Sequence, residues 1–356
     1  MTFLIARSHT VGRPEGRTVS LSEVATGETA GQSAVSPELE SLLEQHRREL
    51  TALCYRMLGS TFEAEDAVQE TLIRAWKGYE GFEGRSALRS WLYRIATNVC
   101  LDMLSGRERR ARPMDLGPAG VADAAHLGEP LPEVTWIEPI PDGRVVAEDG
   151  DPAVVAEQRE SIRLAFVAAL QHLPPKQRAV LIFREVLRWK ADEVAELLET
   201  SVPSVNSALQ RARATLEAGR FKDEISADHA DDEQRELLGR YVQAFESYDM
   251  DALTSLLHED AMWNMPPYAL WLQTHDDIVK WCLGPGIGCQ GSRLVPVESA
   301  NGQPTYGQYK PSPDGGLEPW SLQVLEVSGD RLSGLTFFLD TERLFPLFGL
   351  PDRLDR

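Results

Sequence analysis

Residues 191–217, ADEVAELLETSVPSVNSALQRARATLE, decide how this chain is read. Val194, Leu197 and Leu198 share one helical face, the chain turns at Glu199-Thr200-Ser201, and Val205, Leu209, Ala212 and Leu216 form the apolar stripe of a second helix. Ser201 suits the cap of that second helix, and Pro203 is tolerated in its first turn. The spacing fits a helix-turn-helix. Outside the stripe stand Ser204, Asn206, Ser207, Gln210, Arg211 and Arg213. Near the start of such a helix, amides and hydroxyls face base edges, whereas arginines suit phosphates. Lys190 and Arg188 are placed to clamp the DNA backbone from the other side, with Arg220 as a further phosphate candidate. Two packed helices with a solvated arginine face give the same pattern, so the surrounding sequence has to choose.

The chain has 356 residues, enough for two or three domains, and a formal net charge of -19. That charge excludes a uniformly basic nucleic-acid coat, but it is unevenly spread. Ser161–Lys222 holds 10 Lys/Arg against 6 Asp/Glu, a net +4, whereas Pro113–Glu160 holds 2 against 11, a net -9. Asp223–Arg356 holds 9 against 23, a net -14, and Pro37–Arg112 balances at 12 against 12. The positive stretch coincides with the helix-turn-helix. The 4 cysteines, Cys54, Cys100, Cys282 and Cys289, form no CxxC pair and have no histidine grouping nearby, so neither metal nor cofactor is expected and a reducing compartment fits. No stretch approaches a membrane-spanning length, and a cytoplasmic protein without a membrane partner is expected.

Punctuation divides the rest. Residues 1–36, rich in Gly, Ser and Thr, are expected to be a disordered lead. A helical domain spans 37–112, with an apolar face running from Leu39 to Leu58 and ending at Gly59. Residues 113–151, acidic and interrupted by Pro and Gly, are expected to be a flexible linker. Helical patterning resumes over 152–220, a polar joint covers 221–233, and 234–356 opens with helices and continues as short strands between Gly, Pro, Asn and Asp turns, the pattern of an α+β domain.

In the first helical domain, DAVQETLIRAW (Asp66 to Trp76) sets an apolar side of Val68, Leu72 and Ala75 against exposed acids and one arginine, suited to docking on a charged coiled coil. This stretch resembles the region-2 helix with which RNA polymerase sigma factors grip the clamp helices of the largest catalytic subunit. Asp66, Gln69, Glu70, Arg74 and Trp76 match that pattern. FEGRSALRSWLYRIATNVCLDMLSGRERR resembles the same family's promoter-melting segment, which captures bases extruded from the minus-ten element. Phe82, Arg85, Ser86, Trp91, Arg94 and Asn98 match the positions for that work. Flipping a base costs a few kcal/mol, which stacking partners must recover. Arg107, Arg109, Arg110 and Arg112 would add salt-sensitive phosphate attraction, and at least one of Trp91, Tyr93 and Ile95 is expected in the core. LPPKQRAVLIFREVLRW followed by EVAELL resembles sigma region 4, which binds the minus-thirty-five element and the polymerase flap, and SALQRARATL resembles its recognition helix. Two motif sets in the right order make the chain similar to extracytoplasmic-function (ECF) sigma factors of the sigma-70 class over about 37–219. The resemblance implies core RNA polymerase and promoter DNA as partners, and a linker that threads the polymerase's channels.

LLGRYVQAFESYDMDALTSLLHEDAMWNMPP and the ending LFPLFGLP resemble the SnoaL-like domain of extended sigma factors, a cone related to ketosteroid isomerase and nuclear transport factor 2. The resemblance thus implies two all-α domains followed by an α+β SnoaL-like cone. Such cones enclose a ligand site, so Trp263, Met265, Tyr268, Trp271, Trp281, Trp320 and Phe338 are candidates to line a small-molecule pocket, with core packing as the competing role. Acids stand at His258-Glu259-Asp260, His275-Asp276-Asp277 and Asp340, but a general base also needs a raised pKa and an oxyanion partner; no catalytic residue is assigned. The cone is expected to dock on regions 2 and 4 and regulate them in cis. A ligand-responsive helix-turn-helix regulator working without polymerase, and a cone isomerase or cyclase tethered to a DNA-binding module, are the alternatives; the first leaves Asp66–Trp76 unexplained.

Overall fold

A computed structural model describes residues 37–82, 84, 87–147, 151–218 and 231–355. The lead 1–36, Arg85, Ser86, Arg220 and most of the joint lie outside the described residues. The chain divides into two units, the first ending at Gln45 and the second running from His46. In the first, Pro37 opens helix α1 (Pro37–Glu44). The apolar face expected as one helix is therefore interrupted, and helix α2 (Arg47–Leu58) carries the rest of it.

The second unit begins with three packed helices. Gly59 ends α2 at φ 72°, donating its N–H to the Tyr55 carbonyl at 2.8 Å; the left-handed conformation there favours glycine. Ser60 then caps α3 (Thr61–Gly78) by accepting from the Glu63 N–H at 3.2 Å. Leu53, Met57, Val68, Leu72, Ala75, Leu92, Ala96 and Val99 fill the space between α2, α3 and α4 (Leu88–Leu104).

The second helical body comprises α5 (Pro152–Glu160), α6 (Leu164–Gln171), α7 (Pro175–Leu181) with a π-helical turn at Ile182–Val186, α8 (Ala191–Leu197) and α9 (Val202–Ala218). Glu199 turns the chain between α8 and α9 at φ 50°, and the Ser201 hydroxyl accepts from the Ser204 N–H at 3.3 Å. Val194, Leu197, Val205, Leu209 and Ala212 are buried, the two stripes expected of a helix-turn-helix.

The last part is α+β. Helices α10 (Asp231–Ser247) and α11 (Met250–Ser255) precede strands β1 (Leu257–Asn264) and β2 (Trp271–Leu272), helix α12 (His275–Leu283), strands β3 (Arg293–Ala300), β4 (Gln303–Pro311), β5 (Leu317–Ser328) and β6 (Arg331–Phe338), and helix α13 (Thr341–Leu347). Among the described residues these strands form one sheet, ordered β2-β1-β6-β5-β4-β3, antiparallel except for β1 beside β6. Tyr241, Phe245, Trp263, Trp281, Leu325 and Phe337 belong to the core cluster between sheet and helices α10 to α12. Tyr306 on that side meets Tyr241, while Tyr309, three residues on and facing the other way, packs edge-on against Phe345 of α13 at 5.2 Å. No helix among the described residues is long and apolar enough to cross a membrane.

The segment expected to be a flexible linker is packed instead. Ala122 is 2 % exposed and belongs to the cone's core, with Leu127 packed against it. Its backbone is tied there by Gly120 N–H to the Trp271 carbonyl and Leu131 N–H to the Pro267 carbonyl, both 2.8 Å. Further along, Trp136, Ile137, Ile140, Val145 and Val146 are buried, and the Glu138 N–H reaches the Gly59 carbonyl at 3.0 Å. The absence of a period was real, because this stretch has only short turns. Its backbone groups find partners in neighbouring domains, so burial does not require a helix or strand.

Candidate nucleic-acid interface

Helix α9 presents its outer face to solvent. Ser204, Asn206, Ser207, Gln210, Arg211 and Arg213 are all exposed, as is Lys190 before α8, whose N–H donates to Glu193 at 2.6 Å. Arg213 pairs with Glu185 at 2.5 Å, with both side chains partly in water. Such a pair contributes little, so a phosphate can replace the carboxylate at small cost. Neutral donors and acceptors therefore lie near the start of a helix with cations farther along it, a face that a major groove can accept.

Helix α3 buries Val68, Leu72 and Ala75 and turns Asp66 and Arg74 outward, with Gln69, Glu70 and Trp76 half-buried. Arg74 donates to Glu70 at 2.7 Å, one turn away, and lies 3.6 Å from Asp102 of α4. These partners hold its guanidinium along the surface, and the bond to Glu70 is the largest cause of its raised pKa.

The segment around α4 is arranged differently. Trp91 stacks on Phe82 with centroids 4.9 Å apart and crosses Gly78, where a Cβ would lie 3.3 Å from the indole. Asn98 is exposed. Tyr93, 1 % exposed, packs against Phe183 at 5.9 Å and Trp189 at 5.4 Å, both in the second helical body, and burial pushes its hydroxyl pKa up. Arg94 pairs with Glu196 of α8 at 3.3 Å. The expected basic cluster is only partly engaged: Arg107 and Arg109 are exposed, the first pairing with Glu63 at 2.5 Å and the second meeting His172, while half-buried Arg112 lies 3.5 Å from Asp115. Burial, followed by the charge of Arg109, lowers the His172 pKa, so the ring meets that guanidinium as a neutral acceptor.

Arg110 corrects the expectation of a free phosphate-binding patch. It is 5 % exposed and donates to the carbonyls of Trp136 at 2.6 Å and Glu133 at 3.1 Å, with Glu63 at 3.1 Å. A guanidinium has five donors, and the linker's carbonyls use them as a phosphate otherwise would. Arg178, which sequence reasoning passed over inside PPKQR, has a similar place in the second helical body. Buried, it donates to the Met57 carbonyl of the first body, to Gln171 Oε1 at 2.6 Å and to the carbonyls of Gln171 and Leu173, each at 3.2 Å. Apart from the Glu63 carboxylate, neither partner set carries a sequence signal, because these acceptors are backbone or side-chain amide groups.

In the cone, the residues expected to line a pocket mostly fill the interior. Trp263 packs on Phe337 at 4.4 Å, Tyr268 and Trp281 are buried, and Met265 packs against the core. Trp271 is half-buried and donates to the Gly117 carbonyl of the linker at 2.9 Å; Trp320 lies beneath the Lys310 ammonium at 3.6 Å. Phe338 borders a small cleft with Asn264 and Thr336, closed by Ala111, Pro113 and Ile137. The interior polar groups are neutral and satisfy one another: Tyr241 donates to Gln323 at 2.6 Å, Gln323 to Gln308 at 2.9 Å, and Gln308 to Ser292 at 3.0 Å. Of the candidate acid-base residues, His258, Glu259 and Asp260 are exposed. Burial raises the pKa of Asp340, which lies 3.5 Å from Arg343. Among the described residues no His, Cys, Asp and Glu side chains cluster as a metal site requires.

Comparison with known proteins places these parts in a family. The Sigma-70 region 2 model matches residues 42–110, and the Sigma-70, region 4 model matches residues 163–216. The ECF RNA polymerase sigma factor SigG of Mycobacterium tuberculosis is 50% identical over 317 residues, covering 87% of this chain and 83% of that protein. The ECF sigma factor SigJ of the same organism is 27% identical over 251 residues, 68% of this chain and 72% of SigJ. The crystal structure of SigJ shares the fold, with a TM-score of 0.56 at 21% identity over 87% of this chain and 99% of that chain. With the helix-turn-helix, the three-helix body before it and the α+β cone after it, the chain belongs to the ECF RNA polymerase sigma factors.

Proposed function

We propose that this sigma factor docks on core RNA polymerase through the Asp66–Trp76 face of α3, with its second helical body on the flap. Through α9 it reads the minus-thirty-five element, and through Phe82, Trp91, Arg94 and Asn98 it melts the minus-ten element. In the arrangement described above the second helical body withholds the melting half, and the linker and cone hold the two bodies together. The observation that carries this reading is the contact of Tyr93 and Arg94 in α4 with Trp189, just before the helix-turn-helix, and Glu196, in its first helix. The two promoter elements lie about 25 base pairs apart, roughly 85 Å of duplex at about 3.4 Å per step. Two helical bodies in direct side-chain contact cannot span that distance, so promoter binding requires them to part. The reading places the chain in the cytoplasm, with the polymerase.

The linker's negative charge suits basic polymerase channels, and it has to leave the cone before it can thread them. The test is promoter-specific run-off transcription with purified core polymerase, comparing the full chain with one ending at Ala218. The truncated chain is expected to give more transcript at equal core occupancy. Equal output from both would overturn the withholding role, and failure of either to bind core would overturn the polymerase role.

A further inference from the structure

Strands β3 and β4 are joined by Asn301-Gly302, with Ala300 opposite Gln303. Both turn residues have positive φ, 57° and 69°, the conformation that makes Asn-Gly a favoured two-residue hairpin. Hairpin tips normally lie in water, yet Asn301 is 0 % exposed. Its side-chain amide reaches three other parts of the molecule. Nδ2 donates to the Tyr55 hydroxyl of α2 at 2.6 Å and to the Ile162 carbonyl of the second helical body at 2.6 Å. Oδ1 accepts from the Ile140 N–H of the linker at 3.0 Å, and the Asn301 N–H returns to the Ile140 carbonyl at 3.1 Å. Tyr55 passes the connection on by donating to the Glu138 carbonyl at 2.8 Å. Gly302 donates its N–H to Asp142 at 2.8 Å, and a Cβ there would lie 3.0 Å from the Cβ of Arg159.

A primary amide has two donor hydrogens and one acceptor oxygen. Here each hydrogen serves a different helical body and the oxygen serves the linker, so no other side chain of similar size could replace all three contacts. We infer that the Asn301–Gly302 turn is the catch by which the cone holds the two helical bodies and the linker closed, with the Asn301 amide as its working part. The inference rests on the withholding role proposed above.

Asn301→Gly is the informative substitution, because glycine keeps the left-handed turn and loses only the amide. Losing several buried hydrogen bonds raises the open-to-closed ratio on the order of a hundredfold. In the full-length chain, hydrogen exchange is expected to speed up over residues 138–142 and 160–163, and the X-ray scattering radius to grow, while β4 and β5 amides stay protected. Tyr55→Phe, which removes only the hydroxyl on the far side of the contact, is expected to cause a smaller change of the same kind. It also decides the matter if Asn301→Gly disturbs the cone itself. Unchanged exchange over 138–142 and unchanged scattering in Tyr55→Phe, and in an Asn301→Gly chain whose cone is intact, would overturn the catch. Transcription with core polymerase is read separately: an opened chain with unaltered output leaves the catch standing and removes the withholding role instead.

Discussion

The two regions proposed to face DNA share a chemistry of arginines and amides but are presented in opposite ways. On α9, Asn206, Gln210 and Arg211 are exposed, and the ion pair of Arg213 with Glu185 lies at the surface. At α4 and the chain after it, Tyr93 lies beneath Trp189, Arg94 is held by Glu196, and Arg110 is enclosed by linker carbonyls. The difference shows that counting basic residues does not locate a usable nucleic-acid surface. What matters is whether acceptors inside the protein have already taken the donors. Under the proposed function, duplex reading is therefore available before strand opening.

The largest way to break this asymmetry is Trp189→Ala. The ring touches both Tyr93 and Phe183, and its removal is expected to cost the closed arrangement about 2–3 kcal/mol. Scattering should show a more extended chain, with more transcript from core polymerase; an unchanged radius would mean that the aromatic contact is incidental.

Acidity supplies the next effect. Glu138 is 6 % exposed, and burial pushes its pKa from 4.5 up to about 7, against the pull of Arg110, the Ser60 hydroxyl and Arg343, with Glu133 adding repulsion. A carboxyl whose pKa is raised in the closed form holds its proton more tightly there than when released. The closed form is therefore favoured at low pH and loses that stabilisation as pH rises from about 4.5 to about 7. Asp142, pushed up to about 6 by burial, acts in the same direction. Urea unfolding should show stability falling by on the order of 2 kcal/mol across that window. Glu138→Gln is expected to remove the upper part of the slope, and an identical slope in that variant would assign the effect elsewhere.

The smallest effect tests the open side. Arg211→Ala is expected to weaken promoter binding by about 1 kcal/mol and to lower the slope of log affinity against log salt by about one. If Arg110→Ala changed that slope equally in a chain still closed, the contrast between the two regions would fail.

Much of this was legible in residues. The stripes Val205-Leu209-Ala212 and Val68-Leu72-Ala75 are buried as their helical spacing predicts, because amphipathic burial follows from local geometry. The linker misled because Trp136, Ile137 and Ile140 are buried in irregular backbone, where no period exists to be found. Asn301-Gly302 carries the two-residue signature of a hairpin, but the signal for a turn does not say what the turn rests against. Arg110 was misplaced for a related reason: besides Glu63, its acceptors are main-chain carbonyls, identical in every residue.

Ala122 adds a consequence for the life of the opened protein. It is a linker residue by chain position but part of the cone's core cluster, which also holds Leu270, and Gly120 comes so close that a Cβ would lie 2.4 Å from that leucine. Drawing the linker away would leave the cone with a wetted apolar scar. Under the proposed function, release from polymerase would then favour the strap's return, because its seat buries that apolar surface again.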